Sequence, residues 1–419
     1  MKKLILATAM FSCLSILSFG NGFKSSLQGQ KQIGMGGIGI GMPMDAATLY
    51  YNPAGLSFIK DQITLGVSAI FPRTQFLETQ TNLLTTSENQ ILTPPSFFAA
   101  YHIKNSPISV GIGVYTPFGS SVKYPDNWSG QYILTNISLV NFNIQPTVSV
   151  RVTDKFSLGA AMMYSFGSVV LEKNIPLQSQ GNDPGHAKLD GNANGIGYSF
   201  AAFVQADKQL SFGATYHSRI DMKVDGGTAS FTNIPTALQS SFPNTTFDSE
   251  LPLPSDLGVG VGYIINNRWR MGLDIDYTFW SAYKELLFDY ADNTNLLTDA
   301  PSARNYENAW TFRFGAQFEA NNRLSLRGGI VYDQTPVQDE FVTPDGPDND
   351  RLGLATGFSY NLDKKFSIDG SLNYTLVTER TVVNTETQLE GAYKTKAMVA
   401  GLGVQYLIGK KNVNKIKTF

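Results

Sequence analysis

The sequence predicts an all-β protein: an antiparallel, 14-stranded transmembrane β-barrel with a plug inside its lumen. Three observations predict this fold. Apolar and polar residues alternate along many segments, short and long connections alternate between those segments, and only 16% of residues are charged while 12% are aromatic. Low charge with abundant aromatic residues suits a β-rich chain that faces lipid on one side. No mature segment approaches the ~18 consecutive apolar residues of a transmembrane helix.

Composition and charge exclude several classes of protein. The 419 residues include 32 basic and 34 acidic side chains, which gives a net charge of −2 and no reason to expect a nucleic-acid partner. The single cysteine, Cys13, excludes a disulfide framework and a cysteine-rich metal site. Since there are also only three histidines, we expect neither a metal nor a cofactor.

The first residues have the features of a secretory signal peptide. A basic start, Met1-Lys2-Lys3, precedes a mostly apolar stretch from Leu4 to Phe19, and Gly20 closes it. We expect residues 1–20 to be cleaved and the mature protein to be exported to the outer membrane of a Gram-negative bacterium. An uncleaved anchoring helix is the alternative, which the shortness of the stretch disfavours.

Residues of alternating character define fourteen candidate strands. In one of them Met271, Leu273 and Ile275 share one face, while Gly272 and Asp274 share the other. Because successive side chains of a strand point to opposite sides, each such run has one apolar face and one small or polar face. The strands are predicted at residues 61–72, 96–103, 108–117, 132–152, 156–172, 196–205, 210–224, 254–265, 269–285, 306–319, 324–332, 350–361, 366–378 and 394–408.

The connections between these strands alternate strictly between long and short. Short ones include Thr153-Asp154-Lys155 and Asn266-Asn267, whereas long ones include residues 173–195 and 225–253. This arrangement is typical of an outer-membrane barrel with tight periplasmic turns and long external loops. We therefore predict a barrel over residues 61–409, with both termini in the periplasm. An exported sandwich is the alternative, but it gives no reason for loops to be sorted by length.

Residues 21–60 do not alternate and are predicted to plug the barrel. They contain a glycine-rich run, Gly34 to Gly41, and then Asn52-Pro53-Ala54. A 14-stranded barrel is too wide for its own interior side chains to fill, and a segment of about forty residues with small side chains fits that space. A mobile periplasmic tail is the alternative. At the other end of the chain, residues 410–419 form a charged tail whose role the sequence does not explain.

Several motifs, in order along the chain, resemble those of one family of outer-membrane proteins. They are the glycine-rich run with Asn52-Pro53-Ala54, Tyr216-His217-Ser218 with Asp221 and Lys223, Leu251-Pro252-Leu253-Pro254, Tyr277-Thr278-Phe279-Trp280-Ser281, Asp333-Gln334-Thr335-Pro336-Val337 and Pro347-Asp348-Asn349-Asp350-Arg351. The ordered set resembles the FadL/TodX family, which transports long-chain fatty acids and aromatic hydrocarbons. The resemblance implies a 14-stranded barrel with an N-terminal hatch, here called the plug, in agreement with the independent strand count.

The resemblance also implies that the loop of residues 225–253 captures substrate in an apolar groove. Ile234, Leu238 and Phe242 are spaced by four, so they could share one face of a short helix. The alternative is that these side chains only pack the loop against the rim of the barrel. The predicted capture residues are Phe231, Ile234, Leu238, Phe242, Phe247 and Leu251.

Two segments are predicted to gate the channel. Pro117 and Gly119 lie at the end of the third strand, where proline removes a ladder donor and glycine loosens the strand. By resemblance, a kink there opens the wall so that ligand leaves sideways into the bilayer, and Asn52-Pro53-Ala54 of the plug lies near that kink. The alternatives are an ordinary strand end and a structural turn. The predicted gating residues are Asn52, Pro53, Ala54, Thr116, Pro117, Phe118 and Gly119.

Charged side chains are predicted to face the lumen. The parity of their strands places inward Arg219, Arg313 and Arg327, together with Asp221, Asp274 and Asp276. One of the arginines could bind the carboxylate of a fatty acid; the alternative, which we favour, is a ladder of salt bridges that stiffens the barrel. Because Glu307 lies where the family pattern leads us to expect a cation, an uncharged hydrocarbon is also a candidate substrate.

The sequence therefore predicts passive uptake of hydrophobic compounds, with hydrophobic small molecules and outer-membrane lipids as partners. We expect a monomer without enzymatic activity, since no nucleophile signature accompanies His102, His186 or His217. A general diffusion porin for hydrophilic solutes is one alternative function, and a surface adhesin or receptor is the other.

Overall fold

The structure is a computed structural model that describes residues 22–178, 183–299 and 301–409. The predicted signal peptide, residues 1–20, and the charged tail, residues 410–419, lie outside the described residues. Strands dominate the described chain, and its helices are short. None of the helices in that part of the chain combines the length and the apolarity that crossing a membrane requires.

Fourteen strands form a closed antiparallel barrel, as predicted. The first strand pairs with the last along its whole length, from Gln62 opposite Leu407 to Glu78 opposite Gly391. Closure leaves no unpaired sheet edge, which a sheet in hydrocarbon requires. The strands are β1 (Gln62–Glu78), β2 (Pro95–His102), β3 (Ile108–Tyr115 and Gly119–Lys123), β4 (Asn136–Arg151), β5 (Phe156–Gln178), β6 (Pro184–Gln205), β7 (Leu210–His217 and Ile220–Thr232), β8 (Thr245–Leu253 and Asp256–Ile264), β9 (Trp269–Thr278), β10 (Ala309–Glu319), β11 (Leu324–Asp333), β12 (Arg351–Asn361), β13 (Phe366–Val377) and β14 (Glu390–Leu407).

The main differences from the predicted boundaries lie at the end of the barrel with the long loops. β6 begins at Pro184, so the predicted loop of residues 173–195 is mostly a strand hairpin. The same holds for residues 225–253, where β7 continues to Thr232 and β8 starts at Thr245. Outside the bilayer the outer face of a strand meets water instead of lipid, so apolar residues stop recurring on that face before the strand ends.

Short elements fold the external loops over the mouth of the barrel. Leu84–Thr86 pairs with β1, and Arg380–Val383 pairs with β14. The remaining short strands are Glu285–Leu286, Asp289–Tyr290 and Ser302–Ala303, and the 3-10 helices of the loops are Thr236–Ser241, Trp280–Ala282 and Asp339–Phe341.

The outer surface of the barrel is apolar. Alternate residues point outward and leave large hydrophobic side chains exposed, such as Leu273, Phe314 and Leu402. Exposed aromatic side chains lie near both ends of this surface, for example Trp310 at the external end and Phe366 at the other. An apolar band bordered by aromatic residues is the surface that a β-barrel presents to a bilayer.

The plug, residues 22–60, lies inside the ring of strands. Its backbone fits against glycines on different sides of the barrel: a Cβ added to Gly159 of β5 would lie 2.3 Å from the backbone nitrogen of Ala54, and one on Gly329 of β11 would lie 2.2 Å from the carbonyl carbon of Met35. Only residues without a side chain permit so close an approach. The plug contains the helices Gln30–Ile33 and Thr48–Tyr51 and the 3-10 helix Pro53–Phe58.

Buried charges hold the plug to the wall. The carboxylate of Asp274 on β9 accepts hydrogen bonds from three successive backbone N–H groups of the plug, those of Gly39 at 2.7 Å, Ile40 at 2.9 Å and Gly41 at 3.3 Å. A row of backbone N–H groups stabilises an anion in this way. On another side of the lumen, Lys31 donates to the side chain of Gln405 at 2.6 Å.

Candidate functional site

A cavity of about 340 Å³ lies between the plug and the external loops. Most of its lining is apolar and comes from the outer parts of the strands, including Val122, Ile137, Met222, Leu251 and Leu253. Met222 of β7 is paired directly with Leu251 of β8, so both side chains lie on the lumen face. Such a space favours a hydrophobic solute, since each buried methylene group contributes ~0.8 kcal/mol.

The roof of the cavity is a cluster of aromatic rings and ion pairs from the external loops. The ring of Tyr306 lies 5.7 Å from that of Trp280 and 5.0 Å from that of Tyr283, centroid to centroid. Arg304 pairs with Asp345 at 3.2 Å and ties two loops together. Burial raises the pKa of the Tyr306 phenol well above its ordinary value, so this ring remains neutral.

The first residues of the plug also line the cavity and contact the external loops. The backbone N–H of Gly22 donates to Asp348 at 2.8 Å, and Arg351 donates to the carbonyl oxygen of Gly22. The ring of Phe23 lies 4.8 Å from that of Trp280 and 5.9 Å from that of Phe118. This end of the plug is therefore held by both polar and aromatic contacts beside the cavity.

β3 is interrupted between its two parts, and the plug lies against the interruption. The first part pairs with both β2 and β4, whereas the second part pairs with β4. Pro117 has no N–H to give to a ladder, and its carbonyl oxygen accepts a hydrogen bond from the backbone of Ser25 at 2.8 Å. The N–H of Gly119 donates to the carbonyl oxygen of Phe23 at 3.1 Å. Plug residues thus take the place of a neighbouring strand.

Side chains of the plug strengthen this contact. The carbonyl oxygen of Thr116 accepts hydrogen bonds from the hydroxyl of Ser25 at 2.9 Å and from the amide of Gln28 at 3.0 Å. Lys24 forms a β-bridge with Phe118, whose side chain is buried. The structure therefore brings the four predicted gating residues of the third strand together with residues 23–28, which the sequence did not single out.

The interruption borders the cavity. Gly119 and Ser120 line the cavity on the β3 side of the interruption, and Ile70 and Leu92 line it on the β1 side. Ile70 of β1 exchanges backbone hydrogen bonds of 2.8 and 3.1 Å with Leu92, which belongs to the loop before β2. At this height loop residues, not a regular strand, lie between β1 and the second part of β3, so the cavity reaches a part of the wall that has no continuous strand ladder.

The Asn52-Pro53-Ala54 motif lies elsewhere in the lumen. The amide nitrogen of Asn52 donates to the carbonyl oxygens of Ile40 at 2.9 Å and of Ala202 at 3.1 Å, and its oxygen accepts from the N–H of Ala54 at 3.0 Å. Pro53 begins the 3-10 helix that Asn52 caps. On the wall the motif contacts three strands: β6 through Ala202, and β4 and β5 through Ser149 and Ser157, whose hydroxyls donate to the carbonyl oxygen of Ala54 at 3.0 and 2.7 Å. Residues 23–28, rather than this motif, bond to the interruption of β3, and a role of the motif in gating stays a prediction.

The predicted capture residues are spread over the cavity, an adjoining apolar cluster that contains Phe231 and Phe247, and the tip of the loop. Leu251 lines the cavity, and Phe247 is buried above it, 5.4 Å from the ring of Phe288. The rings of Phe231 and Phe242 pair at 5.8 Å near the tip of the loop.

The predicted helical face of the capture loop is absent. Leu238 lies in the 3-10 helix Thr236–Ser241, and the side chain of Ile234 lies over Gly185 of β6. A 3-10 helix has three residues per turn, so positions four apart do not share a face.

Arg219 faces outward, so its predicted position in the lumen is wrong. Its side chain is 43% exposed and pairs with Asp221, which is 41% exposed, and with Glu250 at 3.4 Å. β7 is interrupted before Ile220, and the strand resumes with Ile220 and Met222 inward. A shift of one residue exchanges the two faces of a strand. Counting alternate positions across the interruption therefore assigns Arg219 to the wrong face.

Arg313 and Arg327 are buried in the lumen, but they lie below the cavity. Arg313 pairs with Asp276 and donates to the hydroxyl of Ser26 at 3.2 Å, while Arg327 donates to Gln317 at 2.7 Å. Their partners belong to the wall and to the plug. This placement matches a ladder that braces the barrel and leaves neither side chain at the apolar cavity.

Two cations that the sequence reasoning missed do line the cavity, Lys24 and Arg351. Lys24 pairs with Asp256 at 3.0 Å, and both side chains are buried. The guanidinium of Arg351 pairs with the carboxylate of Asp348 at 2.6 Å. Arg351 belongs to one of the motifs quoted above, whereas Lys24 follows the predicted cleavage site with no motif around it. Each lining cation thus already has a carboxylate of the protein.

A closed barrel with an apolar outer surface, an occupied lumen and an apolar cavity defines an outer-membrane transport barrel. The family model described as "Outer membrane protein transport protein (OMPP1/FadL/TodX)" matches residues 12–407. The chain belongs to this family, as the resemblance of its motifs predicted. It is therefore an outer-membrane transport protein and not an enzyme.

Individual relatives agree over most of the chain. A 47 kDa outer membrane protein of Pasteurella multocida is 25% identical over 383 residues, which cover 86% of this chain and 88% of the relative. A long-chain fatty acid transport protein of Salmonella typhi is 23% identical over 392 residues, which cover 84% of this chain and 86% of the relative.

Solved structures show the same fold. A FadL homologue of Pseudomonas aeruginosa has a TM-score of 0.82 at 20% identity and covers 93% of this chain and 100% of its own. The toluene transporter TbuX of Ralstonia pickettii has a TM-score of 0.69 at 18% identity, over 91% of this chain and 98% of its own.

Proposed function

We propose that this protein takes up hydrophobic compounds by passive diffusion through the cavity and out through the wall at the interruption of β3. One observation carries the proposal: the same apolar cavity is lined by the plug at Phe23, by Gly119 at the interruption and by Ile70 across from it. A solute that binds there contacts the external loops, the plug and the wall beside the interruption of β3. No energy source is required, because binding and release along a path suffice.

The route has three steps. Solute enters beneath the external loops and is held by apolar side chains such as Leu251 and Leu253. Its binding displaces residues 23–28 from the interruption, where they occupy the place of a strand through the hydrogen bonds to Thr116 and Pro117. The solute then leaves sideways into the hydrocarbon of the bilayer, which avoids transfer of an apolar molecule through water.

The charge of the cavity favours an uncharged hydrocarbon over an ionised long-chain fatty acid. Lys24 and Arg351 are each paired with an aspartate, and Asp333 and Asp345 also line the space. A carboxylate would have to compete with these aspartates for a cation in a region of low dielectric. The relatives include transporters of both kinds by name, a fatty acid transporter and a toluene transporter.

Uptake by cells tests the proposal. Cells that lack the protein are compared with cells that express it, using labelled toluene, labelled hexadecane and labelled oleate. We expect expression to raise the uptake of both hydrocarbons, and to raise that of oleate less. Hydrocarbon uptake that does not depend on the protein, together with rapid swelling of protein-containing liposomes in sugar solutions, would contradict the proposal and support a general porin.

A further inference from the structure

The outer surface of the barrel carries two cations that face each other at its seam. Arg73 of β1 is paired in register with Lys396 of β14, and both side chains are exposed. The adjacent residues Thr74 and Thr395 line the cavity. Since side chains alternate along a strand, Arg73 and Lys396 point to the lipid side. We call these two residues the seam pair.

The seam pair lies at the external edge of the apolar band. Along the outer face of β14, the exposed apolar side chains of Met398, Leu402 and Val404 separate Lys396 from Tyr406. The sequence separation is 406 − 396 = 10 residues. At about 3.3 Å per residue and a tilt of roughly 40°, this run spans about 25 Å, the height of the apolar band of an outer-membrane barrel. The seam pair is thus at the level of lipid headgroups.

The charges of the seam pair are not neutralised within the described protein. No salt bridge within 4.0 Å among the described residues includes either member. Acidic side chains nearby are held by other lysines: Glu88 by Lys123 at 3.0 Å, and Glu379 by Lys394 at 3.4 Å. Like charges placed directly opposite on neighbouring strands destabilise the pairing, so an anion between them is favoured.

We propose that the seam pair binds the phosphate group of a phosphorylated lipid in the outer leaflet. The planar guanidinium of Arg73 presents paired donors to phosphate oxygens, and the ammonium of Lys396 adds a point charge. The acyl chains of the same lipid lie along the apolar face below, against Met398 and Leu402. Bound in this way, the lipid joins the first strand to the last from outside and is separate from the transported solute.

Two lipids that differ only in phosphate test this site. The purified full-length protein in detergent is titrated with dioleoyl phosphatidic acid or with dioleoylglycerol, and bound lipid is counted by native mass spectrometry. We expect phosphatidic acid to remain bound to the protein in the mass spectrometer and dioleoylglycerol to dissociate from it. The variant Arg73→Gln with Lys396→Gln should bind phosphatidic acid at least roughly tenfold more weakly, because charge-assisted hydrogen bonds are lost. The exchange Arg73→Lys with Lys396→Arg should retain binding.

A matched control removes two positive charges far from the seam. Lys208→Gln with Lys364→Gln changes exposed residues in the tight turns at the other end of the barrel, and should leave lipid binding unaltered. Heat-modifiable migration on gels verifies that each variant is a folded barrel. Equal binding of both lipids by the unmodified protein, or equal losses in the seam variant and the control, overturns the proposal.

Discussion

Alanine in place of Gly329 is expected to dislodge the plug. A Cβ at this position lies 2.2 Å from the carbonyl carbon of Met35, 2.4 Å from its oxygen and 2.5 Å from the nitrogen of Gly36. All three are backbone atoms, so no rotation of a side chain relieves the contact. Because carbon atoms in contact lie ~3.5 Å or more apart, the plug must retreat from β11 by roughly 1.3 Å.

The cost of that retreat is large compared with the stability of a docked segment. Overpacking in a filled interior costs ~1–3 kcal/mol, and two rigid backbones favour the upper end. A loss of ~3 kcal/mol changes the ratio of docked to undocked plug by a factor of roughly 140. Hydrogen exchange of peptides that cover residues 30–41 should therefore be faster by about two orders of magnitude, and single-channel recordings should show more frequent openings.

Gly328→Ala is the matched control for this prediction. Gly328 is adjacent on the same strand, but it faces outward, and its added Cβ meets nothing nearer than an oxygen at 3.9 Å. Both variants remove one glycine from β11, so both have the same effect on strand propensity. If the two variants show equal exchange and equal conductance, the close fit between the plug and β11 does not hold the plug in place.

Three further predictions concern the gate and the cavity. Asn52→Ala removes three hydrogen bonds of a buried amide, each ~1 kcal/mol, so exchange protection of the plug should fall while the gel shift of the folded barrel remains; unchanged protection would contradict this role. Pro117→Val with Gly119→Val supplies a backbone N–H donor at the interruption and should reduce hydrocarbon uptake severalfold. Uptake at the wild-type level in this variant would contradict the lateral exit. Leu251→Ser should weaken binding of a fluorescent naphthylamine probe by roughly 30-fold, since ~2 kcal/mol of apolar contact is lost, and Leu238→Ser at the loop tip should change it less; equal effects would place capture outside the cavity.

The barrel could be predicted because its strands obey one physical rule. β9 and β14 alternate between lipid and lumen, so apolar residues such as Leu273 and Leu402 recur at every second position. Where strands leave the bilayer the rule no longer applies, and the start of β6 at Pro184 could not be seen. Arg219 shows the same limit: an interruption of β7 shifts the parity by one residue, and no local pattern marks that shift.

The candidate site was predictable only in part. Pro117 and Gly119 are visible as residues that disfavour a regular ladder, and the structure has an interruption there. The plug residues that fill it use backbone groups, as in the hydrogen bond from Ser25 to Pro117. Backbone contacts between residues about ninety positions apart leave no signature in side-chain type. The cavity cations Lys24 and Arg351 could be identified only from the folded chain, because the packing of the plug and the loops decides which charged side chains line the cavity.

A reversible cross-link between the plug and β3 tests the central claim most directly. Lys24 and Phe118 form an antiparallel bridge, a geometry with Cα atoms ~4.5 Å apart that accepts a disulfide. The sequence has one cysteine, Cys13, within the predicted signal peptide, so the pair Lys24→Cys with Phe118→Cys would not compete with another thiol. The account predicts that the oxidised variant takes up no labelled toluene and that reduction restores uptake in the same cells. Equal uptake in the oxidised and reduced states would show that solute does not pass where the plug meets β3.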